Sequence, residues 1–391
     1  MLVGSSRRLE SIGAQVSYAA DFGPFDGRTW LNSAHQGAMP RAAAEAARIA
    51  VEQKSRPALI RNEDFFVVPA RLRAALGRLV SANPDDIVLA NSATYGLDLL
   101  TNGIPWRTGD EVLLVEGDYP ANVYPWTILR PQGVTMRFVR PSTPAIQPEE
   151  LAAAISPRTR LFCASWVNPF TGGALEPDAI GRTCRERQVL FVLNASQGLG
   201  ARVLDLRTAS VDAMTCSGSK WLCGPYGTGF CWLTPALRES LIPRHAYWLA
   251  MIAGRPLSEL RDYSPRTDLG ARAWDIFCPA NFFNFVPWTV SIEYLADAEP
   301  ATVASYDDAL VLHLLESLDS NLFDIVSPRK APQRSTIVNF RPKKDGDVSL
   351  LFDKLTAAGF DIAMGEGTLR VSAHLHNTFD DVDRFVRALT P

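Results

Sequence analysis

Between residues 85 and 233, short apolar runs alternate with longer stretches of helical periodicity. The runs are DDIVLA (85–90), EVLLVE (111–116), VTMRFV (134–139), RLFCAS (160–165), VLFVLN (189–194), DAMTCS (212–217) and TGFCWL (228–233). They are rich in Val, Leu, Ile and Phe and mostly do not alternate with polar residues, as expected of strands covered on both faces. Helix candidates lie between several of them. One is 177–188, with Pro177 and Asp178 in its first turn and Arg185 near its end, the charge order that suits a helix dipole. Strand, helix and strand in succession predict an α/β fold with a mainly parallel seven-stranded sheet and helices on both sides.

The last hundred residues read differently. A long helical stretch (289–295 and on past 306) leads to STIVNFRP (335–342), a helix around SLLFDKLTAAG (349–359), the strand TLRVSAH (368–374) and a helix from Asp380. This predicts a small α+β C-terminal domain. The division expected is an N-terminal segment over 1–30, a large domain over 31–275 and a small one with its connecting helix over 276–391. A chain of 391 residues is long enough for two such cores.

Composition narrows the function classes. Hydrophobic residues are 47% and charged residues 21%, an ordinary globular balance. A net charge of -3 gives no basic excess to meet nucleic acid. No apolar run approaches the roughly 20 residues of a membrane helix. The opening MLVGSSRRLESIG lacks the apolar core of a secretory signal, so a cytoplasmic protein is expected. Six cysteines contain no C-x-x-C pair, so no metal site is expected, and most sit in apolar runs as buried thiols.

The chemistry-bearing residues cluster where strands end, the place where open parallel sheets bind ligands. After IVLA comes Asn91, Ser92, Ala93 and Thr94, a hydroxyl-rich turn opening a helix whose N–H groups suit a phosphate. After VLFVL come Asn194 and Gln197, and after DAMTC come Ser217, Ser219, Lys220 and Trp221. Lys220 thus stands at the mouth of the sheet. A desolvated lysine there loses its proton readily and becomes a nucleophile for carbonyls.

The string TCSGSKWLCGPYGTGFCWL resembles the lysine motif of the class V aminotransferase family, fold-type-I enzymes that use pyridoxal 5'-phosphate (PLP). The family includes isopenicillin N epimerase-like proteins, cysteine desulfurases and kynureninases, and the similarity spans roughly residues 30–390. It implies that Lys220 holds PLP as a Schiff base and carries the Cα proton. Ala93 and Thr94 with their amides, and Ser217 with Ser219, would hold the phosphate. Tyr119, in GDYPANVYPW, would stack on the pyridine. Asn168, in SWVNPFTGG, and Gln197 would lie near the phenolic oxygen. Arg370, in TLRVSAHLHNT, would take the substrate carboxylate by a bidentate pair. His35, in LNSAHQGAMP, would border the substrate. A homodimer is the family expectation.

The sequence also departs from the pattern. The family ends the VLFVL strand with Asp, which keeps the pyridine nitrogen protonated; here it is Asn194. A neutral amide bonds the nitrogen without supporting its charge, so a weaker electron sink is expected. Ser219 stands where many relatives carry His. GFDIAMGEGTLRVS lacks the loop cysteine of the desulfurases, which argues against that activity. FCPANFF (277–283) resembles the stretch that reaches a partner's phosphate, without its Gly-Thr. The function expected is β-elimination, of the C–S lyase type, or epimerisation of an α-amino acid. A PLP aminotransferase and a non-catalytic binding protein on the same scaffold are the alternatives. Trp30, Trp126, Trp166 and Phe282 suggest an aromatic wall for the substrate side chain, although core packing explains them equally.

Overall fold

The computed structural model describes residues 17–243, 246–252, 263–264, 266–343 and 347–389; the opening MLVGSSRRLESIG lies outside them. All seven apolar runs become strands of one sheet. They are β2 (Ile87–Ala90), β3 (Glu111–Val115), β4 (Thr135–Val139), β5 (Thr159–Ser165), β6 (Leu190–Asn194), β7 (Ala213–Ser217) and β8 (Gly229–Leu233), following a two-residue β1 (Thr29–Trp30). Their order across the sheet is β2-β8-β7-β6-β5-β3-β4. Every pairing is parallel except those of β8, which runs antiparallel to both β2 and β7. Both faces are covered: β2, β3 and β8 are buried throughout, which explains their unbroken apolar runs. The helix Pro177–Glu186 has the anticipated Pro at its start, Asp178 in its first turn and Arg185 in its last.

The C-terminal part forms a four-stranded sheet ordered β12-β13-β10-β9, where β9 is Phe323–Ile325, β10 Val338–Pro342, β12 Ala363–Gly365 and β13 Thr368–Val371. Helices Val348–Ala357 and Phe379–Leu389 accompany it. The long helical stretch read from the sequence is two helices, Phe282–Asp297 and Pro300–Ser317. Glu299 between them has a φ of 61°, and Pro300, lacking an N–H, starts a new helix rather than extending the first.

The N-terminal segment is tied to the C-terminal half. β1 pairs in parallel with β11 (Phe360–Asp361), Asn32 bridges Ser372, and Arg28 makes an ion pair with Asp361 at 2.7 Å. The chain therefore crosses between the two sheets immediately before His35. The largest apolar cluster is continuous across both parts, joining Leu113 and Phe191 to Phe340, Leu369 and Phe385. No helix among the described residues is long and apolar enough to cross a membrane.

Candidate active site

The carboxyl ends of β2, β5, β6 and β7 open onto a cavity of about 580 Å³. Each end turns sharply into polar residues. β2 runs through Asn91 into the helix Ala93–Gly103, whose N-cap Ser92 accepts the Tyr95 N–H. The close seat of this helix depends on Gly96, where a Cβ would lie 2.6 Å from Thr215 Oγ1. Its first turn, with Ser92, Ala93 and Thr94, lines the cavity and presents N–H groups that have no helical partner. β7 ends at Ser217, whose hydroxyl is 3.3 Å from that of Ser219.

Lys220 follows on a turn clamped from two sides. Gly37 N–H donates to the Ser219 carbonyl at 2.8 Å, and a Cβ on Gly37 would fall 1.8 Å from the Lys220 carbonyl oxygen, so only glycine fits there. On the other side His374 Nε2 donates to the Trp221 carbonyl at 3.1 Å. The Lys220 ammonium sits 5.3 Å from the centre of the Tyr119 ring. Burial, aided by the nearby Arg370 charge, lowers its pKa to about 8.

Arg370 comes from the other sheet, on β13, and reaches the same cavity. One guanidinium nitrogen donates to Asn32 Oδ1 at 3.3 Å, while its buried Nε has no hydrogen-bond partner among the described residues. Burial pushes its pKa down. Among the described residues no Asp or Glu lines the cavity. Two cations with no lining acid and an unused Nε make a site built for an anionic occupant. A phosphorylated cofactor and an amino-acid carboxylate both fit that charge.

Among the residues singled out from the sequence, His35, Ala93, Thr94, Tyr119, Asn194, Gln197, Ser217, Ser219, Lys220 and Arg370 all line this cavity. Asn168 does not. It borders an adjoining cavity of about 300 Å³, where its Oδ1 accepts from Phe170 N and Thr171 N and its Nδ2 donates to the Gly117 carbonyl. The amide holds its own turn. Gln197 is partly committed as well, donating to Ala34 O at 2.9 Å and accepting from the Trp221 indole at 3.0 Å. None of Trp30, Trp126, Trp166 and Phe282 lines the cavity. Trp126 and Trp166 are buried in the core; Trp30 is half-buried, its indole donating to Gln36 O, and Phe282 is half-buried with its ring 5.4 Å from that of Phe65.

Sequence reading missed Gln36, Ser165, Ser196 and Tyr226, which also line the cavity, as do Asn91 and Ser92 of the hydroxyl-rich turn. It also missed the buried pair beneath it, Asp118 and Asn122. Asn194 Nδ2 donates to Asn122 Oδ1 at 2.6 Å, and Asn122 Nδ2 donates to Asp118 Oδ2 at 2.9 Å. The available signal was two polar residues flanking Tyr119 in the string DYPAN.

The class-V aminotransferase family profile matches residues 61–385. The chain belongs to that family. It is accordingly a PLP enzyme acting at Cα or Cβ of an amino acid. Among similar sequences, isopenicillin N epimerase of Streptomyces clavuligerus is 28% identical over 384 residues, covering 92% of this chain and 93% of its own. A probable cysteine desulfurase of Methanothermobacter thermautotrophicus is 22% identical over 337 residues, covering 79% and 80%. The cystine C–S lyase C-DES, solved with its product cysteine persulfide, superposes with a TM-score of 0.82 at 20% identity, covering 94% of this chain and 99% of that one. At that identity the likeness establishes the fold of this class-V member.

Proposed function

We propose that the cavity binds PLP through Lys220 and that the enzyme catalyses β-elimination from an α-amino acid, with epimerisation at Cα as the second reading. The observation that carries this is Lys220 and Arg370 converging on one cavity that no carboxylate among the described residues lines. When bound, PLP draws electron density from the Cα of an amino acid joined to it, which makes the α-proton acidic.

The protein's own residues then have distinct tasks. The N–H groups at Ala93 and Thr94, with Ser217 and Ser219, would hold the phosphate. Tyr119 would face the ring, Asn194 its nitrogen, and the spare N–H of Gln197 its phenolic oxygen. Asn168, expected at that oxygen, would instead shape the adjoining wall. Arg370 would grip the substrate carboxylate, using its unpartnered Nε in a forked pair, with His35 at the rim. Lys220, with a pKa near 8, would accept and return a proton at Cα close to neutral pH.

Elimination is favoured because no carboxylate stands at 194 in direct contact with the ring nitrogen, and departure of a group from Cβ discharges the electrons without requiring the ring to hold them for long. Epimerisation requires a proton from the opposite face, and His35, Tyr119 and Tyr226 are the lining groups able to supply one. The likeness to a C–S lyase and to an epimerase supports these two outcomes. Sulfur transfer of the desulfurase kind is not proposed, since residues 360–370 contain no cysteine.

A homodimer in the cytoplasm completes the reading. Phe65, Phe66 and Val67 are exposed together on one helix, and Tyr226 at the cavity is 82% exposed, apolar surface of the kind a second copy covers. All six cysteines are free, in keeping with a reducing compartment.

The test is a visible spectrum with PLP before and after borohydride, with peptide mapping, beside Lys220→Ala. Fixation onto Lys220, followed by keto-acid release from amino acids bearing a β-leaving group, supports elimination. Deuterium exchange at Cα with loss of optical activity and no release supports epimerisation. Absence of fixation in the parent protein returns the scaffold to a binding role.

A further inference from the structure

The strand end that lacks a carboxylate is wired to one. Asp118 is 9% exposed, Asn122 1% and Asn194 5%, and the three are joined in series at 2.9 and 2.6 Å. The direction of both bonds is forced. A carboxylate only accepts, so Asn122 must donate its N–H to Asp118 and offer its oxygen to Asn194. Asn194 must then donate from Nδ2. Its Oδ1 is independently fixed by the Ser196 N–H at 3.1 Å, so a flip would set N–H against N–H and oxygen against oxygen.

We infer that Asp118 is a positioning residue for the cofactor's ring nitrogen, acting through Asn122 to orient and polarise the Asn194 amide so that Asn194 Oδ1 meets that nitrogen as an acceptor. This rests on the cofactor placement proposed above. Amides linked in series to a carboxylate polarise one another, and electron density accumulates on the last oxygen of the series. That oxygen is Asn194 Oδ1, which has a second lone pair beyond the one given to Ser196. The negative charge that an Asp at 194 would bring directly is thus displaced to Asp118 and delivered through two amides.

The arrangement also explains why the two positions are exclusive. With Asp118 ionised, a carboxylate at 194 would face the Asn122 oxygen, acceptor to acceptor. The surroundings leave Asp118 as the charge that acts. It accepts further bonds from Tyr119 N at 2.6 Å and Ser165 N at 2.9 Å, so in each of these contacts it is the acceptor. The titratable groups around the series are the buried Cys163, whose thiol burial and Asp118 push upward, and the lining groups His35, Tyr119, Tyr226, Lys220 and Arg370 across the cavity. None of these is an acid that could replace it.

The experiment loads parent, Asp118→Asn and Asn122→Leu proteins with PLP labelled with nitrogen-15 in the ring and reads the ring signal against pH. Borohydride fixation onto Lys220 is scored in the same samples, and thermal melting establishes that each is folded. The parent ring nitrogen is expected to be protonated at neutral pH, and both variants to lose that proton at a pH lower by about one unit or more, the scale on which removing a nearby charge acts. A second readout needs no cofactor: Asn194→Asp should lower the melting temperature of the apoprotein, and adding Asp118→Asn should recover part of the loss. A fixed cofactor whose ring is unprotonated in the parent, or whose signal is unmoved in both folded variants, overturns the inference alone. A parent protein with no cofactor fixed on Lys220 overturns the functional reading and this inference together.

Discussion

His374 Nδ1 lies 2.7 Å from Asp307 Oδ2, with both side chains fully buried, and His374 Nε2 lies 3.1 Å from the Trp221 carbonyl oxygen. Both neighbours are acceptors, so both ring nitrogens carry protons and the imidazole is a cation. Burial opposes that charge most strongly, but the Asp307 carboxylate and the Cys223 sulfur together overcome it and raise His374 to about 10; burial also pushes Asp307 upward, against its own charge, and the two acceptors around the ring decide for the ion pair. His376 goes the other way, pressed down to about 3 by burial and by the His374 charge. The ion pair links the helix Pro300–Ser317 to the residue beside Lys220, so it holds the catalytic turn from below.

Replacing His374 by Gln strands the buried Asp307 charge and should destabilise the protein by about 3–5 kcal/mol, read by urea unfolding. The pH dependence has a definite sign. A histidine whose pKa is raised on folding contributes fully below its ordinary value near 6.5, and that contribution is lost as pH climbs through about 10. Unfolding measured between pH 6.5 and 10 should show this decline in the parent protein, and Asp307→Asn should flatten it.

Gly37→Ala should damage the site without touching a polar group. Its methyl would need the space of the Lys220 carbonyl oxygen, 1.8 Å away, so the lysine turn must move. Borohydride labelling of Lys220 should fall at least tenfold at fixed PLP, while far-ultraviolet dichroism stays native. Unchanged labelling would mean that the turn tolerates the shift.

Arg370→Ala should leave PLP bound and weaken amino-acid binding roughly 100-fold, as expected for loss of two charge-assisted bonds worth about 3 kcal/mol together. Spectral titration with substrate reads this directly. Loss of PLP itself would place Arg370 at the phosphate instead.

Lys220 should capture PLP fastest where its amine is neutral. With the pKa lowered to about 8 by burial and Arg370, the capture rate in the apoprotein should rise through pH 8 and level off above it. Removing the Arg370 charge, with Arg370→Met, should move that inflection upward.

The hydrophobic pattern determined the sheet. The strands Glu111–Val115 and Leu190–Asn194 are buried on both faces, save for a half-buried Leu190, because helices cover the sheet from either side, and their continuous apolarity admits little else. The turns after β2, β6 and β7 were equally plain, since polar and glycine residues directly after an apolar strand mark its exposed carboxyl end. That local chemistry located Thr94, Ser217 and Lys220.

Only the tertiary structure decided which distant groups meet. Asn194 reaches Asn122 across 72 residues of chain, and Arg370 enters the cavity because β1 pairs with β11 and Asn32 bridges Ser372. Asn168 looked the same as Gln197 in sequence, yet its amide is consumed by its own turn. A residue's type states which bonds it is able to make. Its partners are settled by backbone geometry and by the orientation that buried donors and acceptors impose on one another, and a linear pattern carries neither.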